Sequence, residues 1–202
     1  MTSLYRLDLT AAQIAQSFFA DAGDDPWQGG YMTPGGFGPV VIRTREGKRI
    51  VPRLWGVPPP PAVALTGGAP VAHVRNVESP FWIGTLRHTD YRCLIPATSF
   101  QLWSQEPDPV TGKRSAHSFA LAASPAFAMA GIWRDSEIPS FALLTCDPNR
   151  LVGAVNPRTM PVILHREDHD AWLRESWKTA HRLITPFPSQ LMAVQQKSAR
   201  PA

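Results

Sequence analysis

The feature that most constrains this chain is a train of short apolar runs in its second half, each closed by a proline break. His117 to Ala123, Phe127 to Trp133 and Ser140 to Cys146 follow one another, with Ser124-Pro125 and Ile138-Pro139 between them. Runs this short, bounded by turn formers, read as strands. Tyr91 to Ile95 and Met160 to Leu164 read as further buried strands, Val71 to Asn76 as extended chain, and Val40 to Arg43 with Arg49 to Trp55 as a hairpin around Glu46-Gly47. Helical signals lie mostly outside this block. Ile14, Ala15, Phe18 and Phe19 recur at helical spacing behind Thr10 as N-cap, so a helix is expected over Thr10 to Asp21. Pro80 opens a helical turn through Leu86, and Glu167 to Trp177 reads as a helix with acids at its positive end. Asp24 to Gly38, rich in Gly, Pro and Asp, reads as a loop. The expected fold is α+β, built on a mostly antiparallel sheet or barrel with flanking helices.

A chain of 202 residues is one domain's worth, and the Pro58 to Pro61 stretch followed by Thr66-Gly67-Gly68 is too short a connector to separate two. The expected division is a single domain over 1–180 and a C-terminal extension over 181–202. Gly 14 plus Pro 21 is 35 of 202 residues, about 17%, below the level that marks low-complexity chains. The longest apolar run, Ala126 to Trp133, is far short of the roughly 20 residues a membrane helix needs. Residues 1–10 carry Arg6 and Asp8 and lack the pattern of an export signal, so a cytoplasmic protein with no membrane partner is expected. Cys93 and Cys146 are too few for a disulfide framework and form no Cys-x-x-Cys pair; both read as buried small hydrophobes. The net charge of +4, with Arg outnumbering Lys sixteen to four, fits an anionic partner held by bidentate guanidinium contacts, and fits codon bias equally well.

A few groups invite chemistry. His165 and His169 stand one helical turn apart with Asp168 beside them, a zinc-like spacing, but no third ligand is evident and acids in a first turn answer to the helix macrodipole alone. No metal is expected. Thr2 follows the initiator Met and is small enough to permit its removal, which would put an amine and a hydroxyl on one terminal residue. Trp55, Trp82, Trp103 and Trp133 lie near strand or turn ends, where an indole fills a core or stacks on a base. Asn156-Pro-Arg158-Thr-Met160-Pro161 sets an amide and a guanidinium on a loop just before a buried strand, where binding groups concentrate.

Taken in order, Met1-Thr-Ser-Leu-Tyr5, Arg53-Leu-Trp-Gly56, Val74-Arg-Asn-Val-Glu-Ser-Pro80, Arg92-Cys-Leu-Ile-Pro-Ala-Thr-Ser-Phe100 through Trp103, Ala130-Gly-Ile-Trp133 and Asn156 to Leu164 resemble the SOS response-associated peptidase (SRAP) family, the abasic-site processing proteins. The resemblance runs from Met1 to about Trp177. It implies an α+β fold around a barrel-like core with a basic groove. In that family a Cys directly after the initiator Met becomes the N-terminus, and its amine and thiol capture the aldehyde of an abasic site as a thiazolidine. An Asn helps hold the centre, and a Glu and a His handle protons. Asn76 matches the Asn, whereas Thr2, Leu102 and Asn156 stand at the Cys, Glu and His positions.

The resemblance therefore assigns Thr2, Asn76 and Asn156 to the reactive centre. It assigns Arg158, Arg75, Trp55, Trp103, Met160 and Pro161 to contacts with single-stranded DNA, while Leu4 and Glu78 stand where some members carry Arg. A hydroxyl ionises far less readily than a thiol, Leu102 carries no proton, and an amide moves none near neutral pH, so the durable crosslink is expected to be impaired. The partner expected is single-stranded DNA, particularly at abasic sites, bound by a monomer without a cofactor. Two further readings remain open: a non-catalytic paralogue that binds single-stranded DNA or a protein partner, and an amidohydrolase or peptidase using an N-terminal Thr.

Overall fold

Alternating burial sets the first strand: in β1 (Leu4–Leu7) Tyr5 and Leu7 are buried, while Leu4 and Arg6 are half-buried. The computed structural model describes residues 4–65, 67–107, 109, 112–136 and 138–197. The chain continues through β2 (Gly30–Met32), β3 (Phe37–Arg43), β4 (Lys48–Trp55), β5 (His73–Val74), β6 (Arg92–Ala97) and β7 (Ser99–Trp103). It ends with β8 (Ala116–Leu121), β9 (Phe127–Asp135), β10 (Pro139–Cys146), β11 (Met160–Pro161), β12 (Ile163–Leu164) and β13 (Met192–Lys197). Between them lie the helices α1 (Ala11–Phe18), α2 (Pro61–Ala64), α3 (Ile83–Arg87), α4 (Arg150–Gly153), α5 (His169–Arg174) and α6 (Trp177–His181).

Five strands close on themselves in the order β10-β4-β3-β6-β9, with β9 returning to β10. Of these pairings only β10 with β4 is parallel. This is the α+β, mostly antiparallel barrel that the sequence leads one to expect. Its interior is tight where β9 passes β6: a Cβ on Gly131 would lie 2.6 Å from Ile95 Cδ1 and 2.9 Å from Cys93 Sγ, so no larger residue fits without moving them. A second sheet, β13-β8-β7-β1-β2, joins the barrel through Thr98, whose amide donates to Arg6 O at 2.7 Å. Phe100 and Phe119 stack at 5.1 Å across β7 and β8 and anchor its buried face.

Arg92 begins β6 with no exposed surface, an unusual place for a guanidinium. Carbonyls take two of its nitrogens: Nε donates to Leu86 O at 2.9 Å and Nη1 to Trp172 O at 3.0 Å and Glu175 O at 2.8 Å, while Nη2 is buried without a partner among the described residues. Burial lowers its pKa. One side chain thus ties α3 and α5 to the barrel.

Several expected boundaries move. The first helix stops at Phe18 because Phe19 turns left-handed at φ 52°, its amide bonded to Ala15 O. Its start matches expectation: Gln13 N donates to Thr10 Oγ1 at 3.3 Å and Thr10 N to Gln13 Oε1 at 2.9 Å, a capping box. The helix expected over Glu167 to Trp177 breaks at Glu175, whose extended backbone offers its carbonyl to Arg92. The loop expected over Asp24 to Gly38 contains β2, drawn into the sheet because Met32 packs against Gly38 in the core. Within the segment 181–202, β13 pairs with β8 from Met192↔Leu121 to Lys197↔Ala116. No described helix is long and apolar enough to cross a membrane.

Candidate nucleic-acid interface

Two clusters of polar side chains emerge where β10 ends. Strand β5 runs parallel to β10, with Val74 beside Leu144, so the chain leaves β5 at Arg75 in the direction in which β10 leaves at Asp147. Arg75 Nη2 meets Asp147 Oδ1 at 2.5 Å, both side chains being largely exposed. Asn76 is exposed and turns the following backbone: its Oδ1 accepts from Glu78 N at 3.0 Å. Such an Asx turn fixes the loop locally without burying the amide.

The second cluster hangs from a short, well-capped helix. Asn149 Oδ1 accepts from Val152 N at 2.9 Å to start α4, and Asn149 Nδ2 donates to Phe187 O at 2.6 Å. The chain then leaves α4 through Asn156, whose amide nitrogen bonds Val152 O at 2.9 Å. Asn156 Oδ1 accepts from Arg158 N at 3.1 Å, and its Nδ2 lies 3.5 Å from the carbonyl of Trp103, a long contact that ties this loop to the end of β7. Arg158 is exposed and makes no ion pair with any described residue. Trp103 keeps 46% of its surface exposed.

Strand β1 closes the group, since Leu4 is in register with Gln101 on β7. Thr2 lies outside the described residues. The structure thus brings Trp103, Asn156, Arg158 and the start of β1 into one neighbourhood, with Arg75 and Asn76 at the same end of β10.

Three of the expected DNA contacts have no face to offer. Trp55 is fully buried, its Nε1 donating to Ala72 O at 2.9 Å and its ring packed 5.1 Å from Tyr5 and 6.2 Å from Phe141. Met160 and Pro161 are buried as β11, paired with Cys146 and Thr145 of β10. Their apolar side chains are worth more in the core than against a base, and the sheet takes them. Leu102 is 1% exposed and sits across from His117 of β8, a neighbour that spacing along the sequence does not reveal. Partial burial lowers the pKa of His117.

The ionic balance is modest. Asp147 neutralises Arg75 at the surface, Glu78 adds a further negative group, and Arg158 is the unpaired cation of the loop that reaches Trp103. The Cys146 thiol next to this cluster is pushed up to about 12, chiefly by burial, and stays protonated. Asp147 was not foreseen; an acid directly after a strand that ends beside Arg75 becomes legible only once β5 and β10 are known to pair.

His165 and His169, the pair with zinc-like spacing, turn to different neighbours. His165 tilts against Phe187 at 4.6 Å and His169 stacks on Phe18 at 5.5 Å. No group of three His, Cys, Asp or Glu placed to hold a metal occurs among the described residues.

The sequence model of the family described as SOS response associated peptidase (SRAP) matches residues 1–200. No curated protein matches the chain. Among solved structures, a protein from Bacteroides thetaiotaomicron is similar with a TM-score of 0.78 at 19% identity, over 96% of this chain and 90% of that one. A protein from Bordetella bronchiseptica gives a TM-score of 0.76 at 20% identity, over 98% and 100%. A phage-related protein of the same organism gives 0.76 at 16% identity, over 98% and 94%. At these identities the likeness is one of fold.

Proposed function

This chain belongs to the SOS response-associated peptidase family, a DNA-damage-associated family of abasic-site processing proteins, and we propose that it binds single-stranded DNA and meets the aldehyde of an abasic site with the α-amine of Thr2. The observation that carries this reading is the convergence of three separate stretches: the start of β1 through Leu4 and Gln101, exposed Trp103, and the Asn156 to Arg158 loop joined to it. An exposed indole beside an unpaired guanidinium supplies one stacking face and one phosphate contact, the two elements that unpaired nucleic acid requires.

Removal of Met1 frees an amine whose ordinary pKa, about 7.7–8.0, leaves part of it neutral near pH 7. Its lone pair adds to the aldehyde carbon and the resulting carbinolamine loses water to give an imine. Ring closure by a thiol is closed to this chain, because residue 2 carries a hydroxyl. Leu102 is buried and has no proton to give, and the Asn156 amide is occupied with the backbones of Trp103 and Arg158. The product is a reversible imine.

Intact mass first establishes whether Met1 is removed. The mature protein is then incubated with abasic single-stranded DNA with and without borohydride. A covalent complex that requires borohydride is the expected result. A complex formed without borohydride overturns the assignment of Thr2 as a weak nucleophile. Failure of trapping at a mature Thr2 terminus, with DNA binding intact, leaves a non-catalytic binding protein, the reading to which the buried Leu102 points.

A further inference from the structure

A second cleft lies between the C-terminus of α1 and the start of α5, with one wall from Phe187, whose carbonyl Asn149 holds. Its inner compartment, about 240 Å³, has walls from Phe18, Phe127, Phe187 and Leu164, and its polar edge comes from His165, Arg166 and His169. An outer compartment of about 430 Å³ shares Phe18, Arg166 and His169 with the inner one and adds Lys48 and Phe19. The two compartments thus adjoin at these residues.

His169 is 8% exposed, stacked on Phe18, and held by no hydrogen bond to a described residue, although it lines both compartments. Its ring nitrogens are not sealed from the cleft, so solvent or a ligand there can satisfy them. Burial, Lys48 and Arg166 hold its pKa down to about 4, with Asp170 and Glu167 opposing, so it is a neutral ring able both to donate and to accept. The inner compartment's hydroxyls are already donating, Ser17 to Gln13 O at 2.8 Å and Ser124 to Ala126 O at 2.5 Å. Arg166 and Lys48 converge on the outer part, their charged groups 5.1 and 5.9 Å from the centre of the Phe19 ring. Phe19 is 71% exposed and is the one non-glycine residue with positive φ among those described. Strain of this kind on a bulky residue collects at sites that use it. Here it sends Phe18 inward and Phe19 outward on the two sides of the cleft mouth. Asp170 already pairs with Lys48 at 3.5 Å, so an incoming anion competes with a long ion pair whose carboxylate is exposed and whose lysine is largely buried.

An apolar, aromatic-walled compartment edged by two imidazoles adjoins one that carries Lys48 and Arg166 together with Glu167 and Asp170. We propose that this cleft binds a nucleotide, its base between Phe18 with His169 and Phe187 with His165, and its phosphate on Arg166 and Lys48. The inner volume suits one base and no larger ligand. The same chemistry arises from a free mononucleotide or from the 5′-phosphorylated end of a DNA strand. The assignment does not depend on Thr2 or on the Trp103 loop.

The test titrates the full chain with adenosine 5′-monophosphate, adenosine, inorganic phosphate and a 5′-phosphorylated oligonucleotide, following the His165 and His169 Cε1–H resonances. The mononucleotide is expected to shift both histidines, with adenosine and phosphate each binding about tenfold or more weakly. Arg166→Gln, at an exposed position, and Lys48→Gln, at a largely buried one, are expected to weaken the mononucleotide about fivefold or more each while circular dichroism stays unchanged. Binding of the oligonucleotide alone assigns the site to a strand end; binding of both assigns it to nucleotides generally. Unshifted histidines at saturating concentrations of both ligands overturn the proposal, as does unaltered affinity in whichever of the two variants folds. Absence of abasic-site trapping with this binding intact refutes the proposed Thr2 chemistry and leaves this assignment standing.

Discussion

Leu102→Glu tests whether the position at which the family keeps a Glu has become part of the core. Leu102 is 1% exposed, on the face of β7 that carries Phe100. Replacing its isobutyl group with a neutral carboxyethyl group forfeits about 2 kcal/mol of side-chain burial. Ionising the acid there costs about 1.4 kcal/mol for each pKa unit by which burial raises it, so an upward shift of about two units adds roughly 3 kcal/mol. The sign comes from linkage: a carboxyl whose folded pKa exceeds its unfolded value, about 4.3, carries no ionisation penalty below that pH and the full penalty above the raised folded pKa. The variant is therefore expected to lose about 2 kcal/mol at pH 4 and about 5 kcal/mol at pH 8 relative to the parent. His117, in register across β8, is itself held towards its neutral form by burial and gives little counter-charge at pH 8. Urea denaturation of parent, Leu102→Glu and Leu102→Gln at both pH values measures the difference, with the Gln variant expected to show no extra loss at pH 8. A Glu variant as stable as the parent at pH 8, or equally destabilised at both, refutes the buried assignment of Leu102.

The other expectations concern binding, chemistry and folding. Arg158→Ala should weaken single-stranded DNA binding with little sequence dependence and reduce the salt slope by about one; an unchanged slope across a salt titration removes Arg158 from the interface. Thr2→Cys with Leu102→Glu and Asn156→His should form a crosslink to abasic single-stranded DNA that survives denaturing electrophoresis, and a folded triple variant without one means that the groove has drifted. His169, with a folded pKa of about 4 against an ordinary value near 6.5, makes the native state less stable as pH falls from 6.5 towards 4, by about 3 kcal/mol over that window. The difference in stability between parent and His169→Leu should change by that amount between pH 7 and pH 4, and a pH-independent difference contradicts the buried neutral imidazole. Arg92→Met should cost about 2–4 kcal/mol in thermal or urea unfolding, because buried carbonyls of Leu86, Trp172 and Glu175 lose their donor.

Local signals carried the elements that fold by local rules. The Thr10 and Gln13 capping box, the β3–β4 hairpin and the Pro-punctuated strands β8, β9 and β10 are all legible, because cap chemistry and turn breaks act over three or four residues. The features that escaped depend on distant partners. β1 and β7 lie side by side across some ninety residues of chain, with Tyr5 opposite Phe100, and β2 is a strand only because β1 receives it. Arg92 reads as an ordinary strand start, yet its three carbonyl partners split the helix that periodicity makes continuous. The site shows the same division. Motif order singles out Asn156, Arg158 and Trp103, and the structure joins Asn156 to the other two, whereas Trp55, Met160 and Pro161, expected beside them, went into the core. Composition alone does not separate an indole that stacks on a base from one that fills a barrel.

On the proposed reading, the placement of these groups accounts for how such a fold would tolerate the loss of proton-transfer residues. The barrel is closed by β10, β4, β3, β6 and β9, while the interface is carried by the loops that leave β5 and β10 and by the end of β7. Substitutions at the loop positions Asn76, Asn156 and Arg158 therefore touch no barrel register. Leu102 differs, because it faces the core, and a leucine there adds apolar contact where an acid would have to be desolvated. Once the chemistry that needs an acid is dispensable, stability favours the leucine by the same few kcal/mol that restoring the glutamate forfeits. Asn156, by contrast, does structural work in its loop, accepting from the Arg158 amide and reaching the Trp103 carbonyl. Binding geometry and proton chemistry are thus separable on this scaffold, the first built from backbone-anchored loops and the second from individual side chains that packing is free to replace.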